Sequence, residues 1–270
     1  MNKVNASVDI KTQPGFKAVA ILCLAMLYTP ILVLIIFAFN AGNLMMHWEG
    51  VSLRWFGVAL ANQDFQSAAR NTFMISIVAT LVSTVTATLA AIGMTRVKAW
   101  PGMRMAFMII NLPLMVPEII TAVATLSFFA LLAKGLGLNF GIGNIMLAHC
   151  VFCIPFAFMP IRARLEDMDL TLENAAADLY ATPWQAFRRV TFPLLVPGIA
   201  SGAALAFIVS FDDFTITQLV AGPGQTTLPL YIWDQTRRPM TPEINAISAV
   251  LLLFSISFII ISFLIARKRK

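Results

Sequence analysis

The hydrophobic residues of this chain gather into six long runs separated by polar stretches, at about Ala18 to Phe39, Thr72 to Gly93, Met105 to Leu132, Ile142 to Met159, Leu194 to Val220 and Ile244 to Ala266. Each is close to or longer than the roughly 20 residues that a helix needs to cross a hydrocarbon layer about 30 Å thick. The runs are apolar all round and do not alternate, which predicts helices and not the strands of a barrel. The expected fold is an all-α membrane protein with six transmembrane helices. Pro113 and Pro117 lie inside the third run, where each removes a backbone donor, so that run is expected to break.

The longest polar interruption within the second half runs from Arg162 to Pro193 and carries its own helical pattern. Thr171 suits an N-cap, and Leu172, Ala175, Ala176 and Leu179 recur at helical spacing to make one apolar stripe. A second short helix should start at once, with Thr182 as cap, Pro183 at the first position, Trp184 beside it, and Gln185 completing a capping box. Helices this short are marginal alone, so the pair must gain stability by packing on something.

Composition agrees with a membrane location: 59% of residues are hydrophobic and 12% charged, whereas a soluble domain keeps about 25% charged. With both termini cytoplasmic, only Arg54, Arg70, Lys134, Arg237 and Arg238 of the 19 Lys and Arg fall outside, in keeping with the positive-inside rule. The interruption at 162–193 is then cytoplasmic. The net charge of +6 reflects these anchors and points to anionic lipid headgroups, not nucleic acid. The chain divides into a cytoplasmic tail over 1–17, a transmembrane domain over 18–266 with its core from about residue 67, and a basic tail over 267–270. The first run is too long for the apolar segment of a signal peptide and reads as a retained helix.

Enzyme chemistry is thin. No G-x-x-x-x-G-K-[S/T] phosphate loop, G-x-S-x-G elbow or H-E-x-x-H pair occurs. Of the two histidines, His47 lies in an outer loop with Trp48, Trp55 and Phe56, read as interfacial aromatics. His149 lies in the fourth run beside Cys150 and Cys153, read as ordinary helix packing and not a metal site. Gly198 and Gly202 form a G-x-x-x-G pair that allows close helix approach.

Three acids stand inside or at the rim of the runs: Glu118, Asp212 and Asp213. A carboxylate there costs at least ~2.5 kcal/mol unless it meets water or a partner, so such residues usually face a cavity. Counting about 1.5 Å per residue from the start of each run puts all three toward the external half. Asp212 and Asp213 point about 100° apart on a regular helix, so one of them is expected to cap a turn or pair elsewhere. The following loop, Ala221 to Pro229, is rich in Gly, Pro and Thr and is expected to be non-helical. Gly222, Pro223 and Gly224 at its tip, with Tyr231 and Trp233 after it, suit contact with a docking protein or the pore mouth.

The run Asn174-Ala175-Ala176, then Tyr180, then Val190-Thr191-Phe192-Pro193 resembles the Glu-Ala-Ala loop of ABC importer permeases, whose pattern is E-A-A-x-x-x-G-x9-I-x-L-P. The spacing matches at every step, while Asn174 stands for the family's Glu and Tyr180 for its Gly. Glu173 is a candidate to supply the missing carboxylate of a capping box, and a left-handed Tyr180 would be strained by roughly 1–2 kcal/mol. Ser210-Phe211-Asp212-Asp213-Phe214, the loop from Ala221 to Leu230, Pro242-Glu243-Ile244-Asn245-Ala246 and Pro113 to Glu118 resemble the second permease subunit of spermidine/putrescine importers.

The resemblance implies the type I ABC importer fold in a bacterial inner membrane. It also implies a heterodimer with a second permease subunit, an ATPase dimer in the cytosol that holds ATP and magnesium, and an external substrate-binding protein. The chain itself is then no enzyme and carries no cofactor or metal. Asn174, Ala175, Ala176, Leu179, Tyr180, Thr182, Pro183 and Trp184 would meet the ATPase. The residues by themselves leave open an importer of another small amine-bearing nutrient, such as an opine or amino acid derivative, and, from a different class, a stand-alone channel or membrane enzyme.

Overall fold

In the computed structural model the described residues are 15–44, 47–237 and 241–267, with side chains as far as Phe258 and at Ile260. The tail over 1–14, the last three basic residues and Arg238 lie outside them. Helices account for all regular elements among the described residues, apart from one isolated bridge between Asn40 and Val51.

Two compact units are present, Met1–Ala59 with Met240–Leu251, and Leu60–Pro239 with Leu252–Lys270. The first holds helix α1 (Phe16–Ala38), a loop, and the start of α2 (Arg54–Ala61). Asn40 organises the loop: its Oδ1 accepts from the amides of Gly42 and Glu49 at 3.2 and 2.9 Å, and its Nδ2 donates to the carbonyls of Leu44 and His47. Trp55 is buried and donates through Nε1 to Gly42 O at 3.0 Å. It is a structural tie, not the interfacial aromatic expected from sequence, whereas Trp48 is exposed.

The larger unit is built on three long helices, α3 (Gln63–Thr95), α6 (Ile142–Asp167) and α9 (Phe192–Phe211). Small side chains bring them together. On α3 the buried positions Ala68, Thr72, Ser76, Ala79, Ser83, Ala87 and Ala91 form one stripe of three- and four-residue steps. On α9 a Cβ added at Gly202 would stand 2.6 Å from the carbonyl oxygen of Ala157, and one at Gly198 2.6 Å from Arg164 Cβ. The G-x-x-x-G pair thus sets the approach of α9 to α6. Between them Phe158, Ile161, Leu165 and Leu195 are completely buried. In a bilayer, where lipid tails compete for apolar contact, such close backbone packing is what holds helices together.

The third apolar run does break. It forms α4 (Met103–Met115) and α5 (Glu118–Leu136), separated by Val116 and Pro117. Pro117 stands just before the second piece, at its N-cap, and Pro113 stays within the first. The fifth run also breaks, which the sequence reading did not foresee: α9 ends at Phe211 and α10 (Thr215–Val220) follows after three residues. The expected loop then starts at Ala221, but Leu228 and Pro229 already belong to α11 (Leu228–Thr236), where Pro229 suits the first turn. The last helix, α12 (Pro242–Arg267), packs its Phe254 and Phe258 against Phe211 and Phe207.

Five helices among the described residues are long and apolar enough to span a membrane: α1, α3, α5, α6 and the 29-residue stretch Pro183–Phe211. Met103–Met115 and Pro242–Phe258 are shorter apolar helices.

Because a backbone carbonyl cannot move aside, Gly202→Val is expected to lower the thermal midpoint of the detergent-purified protein, costing about 1–3 kcal/mol. Gly93→Ala, whose Cβ would meet nothing within 4 Å, should leave that midpoint unchanged or slightly raised.

Candidate functional site

The three acids of the membrane runs gather at the two helix breaks. Glu118 is the first residue of α5, Asp212 caps the end of α9, and Asp213 lies in the break between α9 and α10. Glu118, Asp212 and Asp213 all line one cavity of about 380 Å³, walled by Phe152 and Phe156 of α6 and by Phe214.

The adjacent aspartates take different roles, as their angular separation requires. Asp212 is exposed to the cavity and Asp213 is buried. The Asp213 carboxylate accepts from the amides of Ile216 and Thr217 at 3.3 and 2.9 Å and from the Thr217 hydroxyl at 2.9 Å, so it caps α10. His149 of α6 completes this cluster. Its Nε2 lies 3.1 Å from Asp213 Oδ2 and 3.1 Å from Thr217 Oγ1, and its Nδ1 lies 2.8 Å from Ser210 Oγ. An ionised Asp213 only accepts, so the Nε2 hydrogen of His149 points to it, while Nδ1 shares a hydrogen with the Ser210 hydroxyl.

His149 is therefore more than helix packing, the role its sequence surroundings suggested. Cys150 and Cys153 beside it are buried free thiols, and Cys153 Sγ points to Ala206 O. No group of three or more His, Cys, Asp or Glu among the described residues is arranged to hold a metal ion.

The loop after α10 is fixed to α3. Asn71 Nδ2 donates to Thr226 O at 3.0 Å and the Leu228 amide donates to Thr72 Oγ1 at 2.8 Å. Gly222 is half-buried, whereas Pro223 and Gly224 at the tip are exposed, Gly224 with φ 76°. Tyr231 does not offer itself to a partner: it is buried, its hydroxyl accepts from Asn62 at 3.0 Å, and its ring meets Phe65. Trp233 is exposed, with its ring centroid 5.3 Å from that of Phe214 on the cavity wall.

A second surface stands beyond the far end of α6. Helices α7 (Thr171–Asp178) and α8 (Pro183–Ala186) form a knob in which no residue is buried. Thr171 is the first residue of α7 and not its cap; the Thr171 amide donates to Asp169 Oδ1 at 2.9 Å. That amide, with the Thr171 hydroxyl, holds the Asp169 carboxyl below its ordinary pKa. Glu173 does not complete a capping box. It accepts from Arg96 Nε at 2.9 Å and from Thr191 Oγ1 at 3.1 Å, which fastens the knob to the end of α3 and to the turn that precedes α9. Arg96 also donates to Leu165 O at 2.9 Å.

The bend of the knob is a Schellman motif. The Ala181 amide donates to Ala176 O and the Tyr180 amide to Ala177 O, with Tyr180 in the left-handed region at φ 58°. It is the one non-glycine residue of positive φ among those described. Tyr180 is 96% exposed and Leu179 82%, with Leu172 and Trp184 exposed beside them, and Asn174 and Ala175 also face outward while Ala176 is half-buried. Thr182 and Gln185 form the expected capping box around Pro183. The helix then runs on without a gap through a π turn, Phe187–Thr191, into α9.

Broken apolar helices around an acid-lined cavity, joined by continuous helices to an exposed knob, define a polytopic transport subunit of the membrane. Residues 83–268 match the family described as binding-protein-dependent transport system inner membrane component, and the chain belongs to that family. It is a multi-pass bacterial inner-membrane permease of the ABC importer class.

Among its relatives, the putrescine transport system permease protein PotI of Escherichia coli (strain K12) is 36% identical over 248 residues, covering 91% of this chain and 88% of that protein. The spermidine/putrescine transport system permease protein PotC of the same strain is 30% identical over 245 residues, covering 91% of each. In fold, the chain is similar to a bacterial ABC transporter involved in the import of alginate, with TM-score 0.75 at 18% identity and 93% of each chain covered. A methionine ABC transporter matches 82% of this chain and 100% of its own with TM-score 0.64 at 17% identity.

Since an L-residue in the left-handed region is strained by roughly 1–2 kcal/mol, Tyr180→Gly should raise the thermal stability of the isolated subunit by up to about that amount. A midpoint that falls instead would show that the exposed ring carries stabilising contacts.

Proposed function

We propose that this chain is one permease subunit of an ATP-driven importer of putrescine or spermidine. It crosses the membrane six times with both termini in the cytoplasm, pairs with a second permease subunit, and receives its cargo from an external binding protein. The six crossings are α1, α3, the broken pair α4–α5, α6, the stretch from α8 through α10, and α12. Lipid surrounds the bundle, and no nucleic acid is involved.

What supports the cargo is the charge at the two helix breaks. The C-terminal end of a helix carries partial negative charge, so Asp212 at the end of α9 adds a carboxylate where the helix already disfavours one. Glu118 lines the same cavity. Together they make a site that gains by receiving a cation, while Phe152, Phe156 and Phe214 suit the methylene chain between two amines. The identity with the putrescine permease, which covers most of both chains, supports the same cargo. Pro223, Gly224 and Trp233 remain the residues of the α10–α11 region that suit the pore mouth or the binding protein; Gly222 shapes the turn by donating to Gln225.

What supports the coupling is the knob. Leu172, Leu179, Tyr180 and Trp184 expose large apolar surface on short helices, which is the mark of a partner-binding face. The partner is the ATPase, which holds ATP and magnesium and does the hydrolysis. Closure of the ATPase pair moves the knob, and the continuous helix from Pro183 to Phe211 carries that movement to the cavity. Asn174, Ala175, Ala176, Thr182 and Pro183 shape or border that face.

In proteoliposomes holding the complete transporter, Glu118→Gln and Asp212→Asn should each lower uptake of labelled putrescine and spermidine by about tenfold without altering assembly; unchanged uptake in both would defeat the cation path. Leu179→Asp should abolish co-purification of the ATPase subunit, and a complex recovered in full yield would sink the docking face. The cargo itself is read by thermal shift of the cognate binding protein against putrescine, spermidine, cadaverine and amino acids.

A further inference from the structure

We infer that His149 is a positioning residue for the cavity: it binds Asp213 into the corner between α9 and α10, and thereby leaves Asp212 as the aspartate presented to the cargo. The inference rests on the reading of this cavity as the amine path. Its warrant is geometric. Three polar side chains from three successive pieces of chain, Ser210 at the end of α9, Asp213 in the break and Thr217 in α10, converge on a single imidazole from α6. All four residues are buried, His149 at 1% exposure.

Without the imidazole, Asp213 would keep the donors of its own segment and the Glu118 carboxyl of α5 beside it, but lose its side-chain tie to His149 of α6. The corner would then be free to turn on α6. Such a turn exchanges the faces of two neighbouring acids, because successive residues point in different directions. A cavity that presents a different carboxylate, or the same one displaced, meets a cation with different charge spacing. His149 therefore governs which amine the cavity favours, and not merely how stable the bundle is. It acts through Asp213 and does not touch the cargo.

The two ring nitrogens make the test specific. Nε2 holds Asp213 and Thr217, whereas Nδ1 holds only Ser210. The amide of Gln reaches about as far as Nε2 and that of Asn about as far as Nδ1. His149→Gln should therefore preserve function better than His149→Asn, and His149→Leu should preserve it least. In the assembled transporter, uptake by His149→Leu is expected to fall about tenfold, the factor equivalent to ~1.4 kcal/mol, and its ratio of putrescine to spermidine uptake to shift at least about threefold. His149→Gln should restore the ratio. A purely structural loss would scale both amines equally, so an unchanged ratio in His149→Leu overturns the inference, as does rescue by Asn in place of Gln.

A second readout needs no cargo. Hydrogen exchange at the amides of Ile216 and Thr217, measured on the same complexes, should speed up in His149→Leu and stay slow in His149→Gln. Unaltered exchange in His149→Leu overturns the anchoring step. If the wild type takes up neither amine, the polyamine reading fails, and the exchange data still judge whether His149 holds the corner.

Discussion

A helix within the hydrocarbon layer can be interrupted only where every freed backbone group finds another partner. The two breaks in this protein meet that constraint differently. Between α4 and α5 the break falls at Pro117, which has no amide to satisfy, while the Val116 amide still reaches Leu112 O and the Ile120 amide reaches Pro117 O. Between α9 and α10 no proline helps, and a side chain must replace the missing carbonyl acceptors. Asp213 does so for Ile216 and Thr217. A buried carboxylate then needs donors of its own, and His149 and the Thr217 hydroxyl supply them. The acidic cavity exists because this chain of requirements closes: one aspartate satisfies the backbone so that its neighbour can face open space.

The same constraint shapes the other end of α9. Pro193 has no amide to give within the helix, and just before it the Phe192 amide reaches back five residues to Phe187 O, closing a π turn. The helix is re-registered there without being cut, so α8 and α9 remain one rod. Glu173 and Arg164 brace this region, the first through Thr191 and Arg96, the second by donating to Leu194 O at 3.0 Å. With Gly198 and Gly202 pressed against α6, the rods α6 and α9 run side by side from the knob to the cavity. Close packing of this kind transmits displacement instead of absorbing it.

Much of this was legible in the chain. Continuous apolar runs located the long helices, and Pro117 located one break, because proline acts locally. The capping box at Thr182 and Gln185 was legible for the same reason. Four features were not. The break after Phe211 has no proline or glycine to announce it, only two acids whose capping role depends on where α10 turns. His149 lies more than sixty residues from Ser210, Asp213 and Thr217, so no spacing rule joins them; the one signal was a lone ionisable residue in an apolar run, opposite acids in another. Glu173 was misread as a local cap because Arg96, its partner, lies 77 residues away. Tyr231 and Trp233 looked alike as aromatics near a loop, and only burial separates them.

Two residues break local rules, and they stand at the two ends of the same rods. Tyr180 holds a left-handed conformation that favours glycine, with its ring almost wholly in the open. Asp212 sets a carboxylate against the negative end of its own helix. Among the described residues, no hydrogen bond or ion pair to the Asp212 side chain relieves it, and the Tyr180 ring is 96% exposed. Strain that packing does not require persists where something outside the subunit makes use of it. On the proposed reading, a partner surface that accepts an exposed tyrosine answers the first, and a cation entering the cavity answers the second. On the same reading, because α6 and α9 tie these positions together, binding at either end would change the free energy of the shape at the other, which is what coupling between a motor and a gate consists of.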